Sequence, residues 1–132
     1  MNILLDTHIL LWGVYSSKML LSRHKKLLVN ADNEIYVSAI SIWEISLKYS
    51  LKKLEIKNFN VNELLDAIDN SGFITTDLSP EEAIDFHNLP RLKNKDPFDR
   101  MLICQAIYNN FYFLSVDKDM SGYKKYGLKL AD

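Results

Sequence analysis

Asn2-Ile3-Leu4-Leu5-Asp6-Thr7-His8 is the stretch that decides the fold. A short apolar run that stops at an acid reads as a strand buried in a sheet, with a carboxylate just past its C-terminal end. The same reading recurs downstream. Residues 34–38 are β-rich through Ile35, Tyr36 and Val37, residues 73–76 form a third run and residues 111–116 a fourth, and residues 128–130 allow a short fifth strand. Helical patterns separate these runs. Residues 19–30 carry Leu20, Leu27 and Leu28 on one side. A helix to Leu51 is capped by Ser41, with Glu44 three positions on. Residues 61–70 form a helix that Gly72 stops. Ser79-Pro80-Glu81-Glu82 opens another, ending near Leu89-Pro90, and Asp96-Pro97 opens the last, to about Asn109. Strands alternating with helices predict an α/β fold with a mainly parallel sheet of four to five strands.

In such a sheet, ligands bind beyond the carboxyl ends of the strands. Asp6 and Asp117 each follow a strand, Glu44 lies early in the helix leaving the second strand, and Asp99 lies in the first turn of the helix that leads back to the fourth. Topology alone therefore gathers four carboxylates at one edge. Like charges held together call for a hard cation with oxygen ligands, Mg²⁺ or Mn²⁺, and such ions act on phosphate. Without metal, the cluster should raise its own pKa values.

Each acid also has an ordinary explanation. Asp6 and Asp117 suit turns. Glu44 has Lys48 four residues on, a favourable pairing worth about 0.2–0.5 kcal/mol. Asp96 is a helix N-cap, and Asp99 gains about 0.3–1 kcal/mol from the helix dipole. Thr7 is expected to cap the turn after Asp6, and His8 to take a surface or supporting role. No second metal-ligating His stands at a recognisable spacing, and no Ser-His-Asp set, P-loop or GxGxxG is present.

Composition narrows the class. The chain has 132 residues, of which 48% are hydrophobic, enough for one domain with a proper core and no staple. Cys104 is the one cysteine and sits in an apolar run, which fits a core thiol in a reducing cytoplasm. The apolar N-terminus lacks a basic region and is interrupted by Asp6 and His8, so it reads as neither signal peptide nor membrane span. With a net charge of −1, nucleic acid is not attracted by the molecule as a whole. Local basic clusters at Arg23/Lys25/Lys26, Lys48/Lys52/Lys53/Lys57, Arg91/Lys93/Lys95 and Lys124/Lys125/Lys129 read as solvated faces, a few of which suffice for backbone contacts.

Four stretches in order carry a resemblance: Ile3-Leu4-Leu5-Asp6-Thr7-His8; Ser38-Ala39-Ile40-Ser41-Ile42-Trp43-Glu44-Ile45; Asp96-Pro97-Phe98-Asp99-Arg100-Met101-Leu102-Ile103-Cys104-Gln105-Ala106; and Leu114-Ser115-Val116-Asp117. Together they resemble the PIN domain and, within it, the VapC-type toxins of bacterial toxin–antitoxin pairs. The resemblance implies one three-layer α/β/α domain over residues 1–132 and a metal-dependent endoribonuclease. Asp6, Glu44, Asp99 and Asp117 match the family's four acidic positions, as catalytic residues and ligands of Mg²⁺ or Mn²⁺. It further implies an RNA substrate, a neutralising antitoxin partner and a homodimer. Cys104 stands where relatives carry a small residue, and Ser115 where Thr is frequent. Tyr15, Met19, Leu20, Ile45 and Tyr49 are expected to line an apolar groove for the partner. The alternatives are an inactive binding module of the same fold, a haloacid-dehalogenase-like phosphatase and a receiver domain. The phosphatase needs a second Asp at position 8, which is His8, and the receiver fits its Asp and Lys positions poorly.

Overall fold

Strand β1 (Asn2–Leu5) is the centre of the molecule: Ile3, Leu4 and Leu5 are fully buried. The computed structural model describes residues 1–54 and 56–131. From β1 the chain runs through α1 (Thr7–Tyr15), a 3₁₀ turn at Ser17–Met19 and α2 (Ser22–Val29) to β2 (Glu34–Ser38) and α3 (Ala39–Ser50). It continues through α4 (Leu64–Asn70), β3 (Ile74–Thr76), α5 (Pro80–Asp85) and α6 (Pro97–Tyr108) to β4 (Tyr112–Leu114). A 3₁₀ segment, Lys118–Tyr126, then leads to β5 (Lys129–Leu130). The sheet order is β3-β2-β1-β4-β5 and every pairing is parallel.

Side chains alternate along a strand, so β1 serves two cores. Ile3 and Leu5 join Ile9, Leu10, Val37, Ile45 and Ile68 on one face. Leu4 joins Leu102, Ile103, Phe113, Met120 and Tyr123 on the other. Helices cover both faces, as parallel sheets require. Build-out from β1 goes one way through β2 and β3, then reverses to β4 and β5. The reversal leaves a crevice beyond the carboxyl ends of β1 and β4, where a ligand site is expected in such sheets.

The strands fall where expected, with shorter ends. Several helix starts differ. Ser38, not Ser41, caps α3, its hydroxyl accepting the Ile40 N–H at 3.0 Å. The helix therefore begins straight out of β2, and Glu44 lies in its second turn rather than at the capping-box position. The expected 19–30 helix loses its first turn, because Leu20 and Leu21 are extended (φ −80°, ψ 143° and φ −69°, ψ 153°). Asp6 is itself the cap of α1, accepting the His8 N–H at 2.8 Å, so Thr7 is free for another task. The Ser79 and Asp96 caps stand as expected; Ser79 and Glu82 form a full capping box. Gly72 stops α4 in the left-handed region at φ 78°. Among the described residues, no helix is long and apolar enough to cross a membrane.

Candidate active site

The site begins where β1 and β4 end side by side. The Asp6 N–H donates to the Leu114 carbonyl at 2.9 Å, extending the parallel ladder by one rung and placing Asp6 beside Ser115. The Ser115 hydroxyl donates to Asp6 Oδ2 at 2.6 Å and accepts the Asp117 N–H at 3.1 Å. One hydroxyl thus ties the acid after β1 to the backbone of the acid after β4. Asp6 is buried to 3% exposure, with its other oxygen held by the His8 N–H.

Glu44 is equally buried and reaches the site from α3. Its Oε1 accepts the Thr7 hydroxyl at 2.7 Å, and Thr7 Oγ1 also lies 3.0 Å from Ser41 Oγ. Its Oε2 accepts the Lys48 ammonium at 2.5 Å. Thr7 therefore serves Glu44 rather than capping the turn, and Ser41 supports that contact from inside the helix.

Asp99 is third in α6, behind the Asp96 cap and Pro97. Asn94 joins it to Asp117: its Nδ2 donates to Asp99 Oδ2 at 3.0 Å and to Asp117 Oδ2 at 3.2 Å. Asp117 Oδ1 accepts the Asp119 N–H at 2.9 Å, so Asp119 contributes backbone here. Asp96 turns its carboxylate onto the Phe98 and Asp99 N–H groups, which accounts for it structurally.

The PIN domain family model matches residues 3–126 of this chain. The chain belongs to the PIN domain family. Solved structures with the same fold include VapBC2 from Rickettsia felis bound to a DNA fragment from its promoter, at 20% identity and TM-score 0.67, covering 99% of this chain and 98% of that one. DNA-bound VapBC from Salmonella typhimurium is 16% identical at TM-score 0.63, covering 100% and 98%. FitAcB from Neisseria gonorrhoeae is 17% identical at TM-score 0.62, covering 98% and 96%. No curated protein matches.

Electrostatics at this PIN domain edge are strained in one place. Burial, and then the charges of Asp6, Asp96 and Glu44, push the Asp99 carboxyl up to about 6, against the pull of the Asn94 hydrogen bond. Burial works against the Lys48 ammonium, but the hydrogen bond and charge of Glu44, with Asp96 and Asp99 nearby, hold its pKa above the ordinary value. The neighbouring Asp6 carboxylate raises the His8 pKa, with burial opposing, the Glu44 charge adding and the Lys48 charge opposing. His8 Nδ1 lies 3.7 Å from Asp6 Oδ1 on a largely exposed ring, as suits a supporting role.

The donors suit a hard divalent ion, since all are carboxylate oxygens and one carboxyl is destabilised as an anion. Among the described residues, however, no three His, Cys, Asp or Glu side chains gather closely enough to cage a metal. Mg²⁺ accepts such a site, because it keeps several waters and needs only one or two carboxylates plus substrate phosphate. Asp99 and Asp117, joined through Asn94, are a two-carboxylate donor set of that kind.

Sequence reasoning misses Asn94, which lies between Lys93 and Lys95 of a basic cluster. Its bond to the Asp96 N–H is a local Asx-type turn and legible from Asn94-Lys95-Asp96, but its reach to Asp117 depends on the fold. The expected groove is altered too. A groove of about 440 Å³ beside Thr7 and Glu44 is lined by Leu11, Trp12, Met19, Ile45, Leu54 and Ile56, with Lys18, Lys48 and Lys53 among them. Leu20 belongs to the core instead, and Tyr15 and Tyr49 pack edge-on against Phe59. Cys104 is a buried free thiol pushed up to about 11 by burial and then by Asp85 and Glu82, so it is inert.

Proposed function

We propose that this PIN domain is a metal-dependent endoribonuclease and the toxin of a toxin–antitoxin pair. The observation that carries the reading is the chain of hydrogen bonds that ties Asp6 to the Asp117 backbone through Ser115 and Asp117 to Asp99 through Asn94, with Glu44 held by Thr7 next to Asp6 in sequence. Asp99 and Asp117, with Asp6, would hold Mg²⁺ or Mn²⁺. The bound ion would polarise the scissile phosphodiester and lower the pKa of a coordinated water. Ser115 and the His8 N–H orient Asp6 by occupying one lone pair on each of its oxygens. Glu44, fixed by Thr7, is set to orient water. Its partner Lys48 keeps an ammonium at the rim, where it can meet a substrate phosphate.

Asp99→Asn tests the assignment on total RNA with Mn²⁺. Cleavage should fall at least about 100-fold while the melting temperature holds or rises. Wild-type cleavage by that variant would sink the nuclease reading. The groove lined by Leu11, Trp12, Met19 and Ile45 suits an amphipathic antitoxin helix placing a basic side chain toward the acids. Co-expression with the adjoining reading frame should recover a complex; a lone, uninhibited toxin would count against it. The homodimer is supported by an exposed stripe of Trp43 and Leu47 on α3 and Leu51 at its C-cap, at 60%, 37% and 53% exposure. Light scattering at twice the monomer mass checks it.

The competing reading, an inactive PIN module for protein contact, is favoured by the engagement of Glu44 with Lys48 and the lack of a three-acid group among the described residues. Calorimetry with Mn²⁺ separates the two, since only the nuclease should give heat that depends on Asp99.

A further inference from the structure

We infer that Asn94 is a positioning residue for the metal ion, holding the Asp99 and Asp117 carboxylates as one preassembled pair. The inference rests on the nuclease reading above. A carboxamide nitrogen has two N–H groups, and both are used here: one toward Asp99 Oδ2 at 3.0 Å, the other toward Asp117 Oδ2 at 3.2 Å. The other end of the amide is spoken for. Asn94 Oδ1 accepts the Asp96 N–H at 2.9 Å, so a flipped amide would lose that bond and aim its oxygen at two anions. The orientation is therefore determined by its surroundings.

The two acids belong to different parts of the chain. Asp99 rides on the first turn of α6, and Asp117 caps the 3₁₀ segment after β4. Facing carboxylates repel and turn apart unless something stands between them. An ammonium there would neutralise the pocket and compete with a divalent ion. A neutral amide supplies two donors and leaves the negative charge in place. Each bonded carboxylate oxygen keeps a second lone pair for an ion or its waters. Asn94 thus meets the requirements of an outer partner that orients ligands without displacing the metal. Removing such partners typically costs 10–100-fold in metal affinity.

Asn94 is half-buried in the loop before α6 and belongs to neither core, so its replacement leaves both cores intact. The test is calorimetric Mn²⁺ titration of the full chain without RNA, for the wild type, Asn94→Ala and Asp99→Asn. Melting curves and hydrogen exchange at the Phe98 and Asp99 amides accompany it. Asn94→Ala should weaken Mn²⁺ binding roughly 10–100-fold, with the melt nearly unchanged and both cap amides still protected. Wild-type affinity in Asn94→Ala overturns the inference. So does tighter binding, which would mean that the amide competes with the ion. An affinity loss accompanied by lost protection at the two amides also overturns it, because the loop would then be acting through the helix cap. A wild type with no Asp99-dependent heat removes the nuclease reading and the Asn94 role with it. Intact wild-type binding beside an unaffected Asn94→Ala removes the Asn94 role alone.

Discussion

Asp99 concentrates the tension of the site in one carboxyl. Its folded pKa of about 6 lies above the ordinary aspartate value of 3.8. Between those values the folded chain binds more protons than the unfolded one, so this group's contribution to stability falls as pH rises from about 4 to 6. Above that window the ionised form is a standing cost. Asp99→Asn removes it, and in metal-free protein at pH 7 should stabilise by about 1 kcal/mol once solvent screening of a partly exposed group is allowed for. Denaturant melts at pH 4 and pH 7 check the sign: the gain should shrink at pH 4, where wild-type Asp99 is largely protonated. A gain over wild type no larger at pH 7 than at pH 4 would contradict it. Ser115 makes a second residue-scale case. Its hydroxyl bridges Asp6 and the Asp117 backbone, so Ser115→Ala should lower the rate of RNA cleavage about 10–100-fold while Ser115→Thr, which keeps the hydroxyl, should not.

Two helix starts allow a comparison between stability and function. Ser79 caps α5 by a full capping box with Glu82, while Asp96 caps α6, in which Asp99 is the third residue. Ser79→Ala and Asp96→Ala should each cost about 1 kcal/mol, read as a lower melting temperature. Only Asp96→Ala should also reduce cleavage, because the Asp96 carboxylate holds the Phe98 and Asp99 N–H groups. Equal loss of activity in both would show that the caps act through global stability. Both caps were legible in the sequence, since Ser79-Pro80 and Asp96-Pro97 carry polar side chains before a proline. The α3 cap was not: Ser38 and Ser41 are equally good caps by chemistry, and only the end of β2 decides between them. Nor was the early break at Leu20 and Leu21. Leucine favours helix, but Leu20 is drawn into the core, and packing overrides propensity there.

At the scale of the molecule, the parallel sheet and the shared edge of Asp6, Glu44, Asp99 and Asp117 followed from strand–helix alternation. The internal donors that tie the acids together did not. Asn94 and Ser115 answer to partners 23 and 109 residues away, and no local pattern encodes such distances. Those donors hold the edge together with hydrogen bonds and one ammonium. Mn²⁺ that binds the folded chain alone must then stabilise it, by about 2.7 kcal/mol at a hundredfold excess over the dissociation constant. For a chain of this size that is a rise of roughly 10 °C in melting temperature. The rise should depend on pH through Asp99. Below about 6 the ion must displace a proton from that carboxyl, so the gap between metal-loaded and metal-free melts should close as pH falls from 7 to 5 and widen again on return. Thermal melts with and without Mn²⁺ across that range measure it directly. A gap that ignores pH would place the ion away from Asp99, and no gap at all would leave only the inactive binding module.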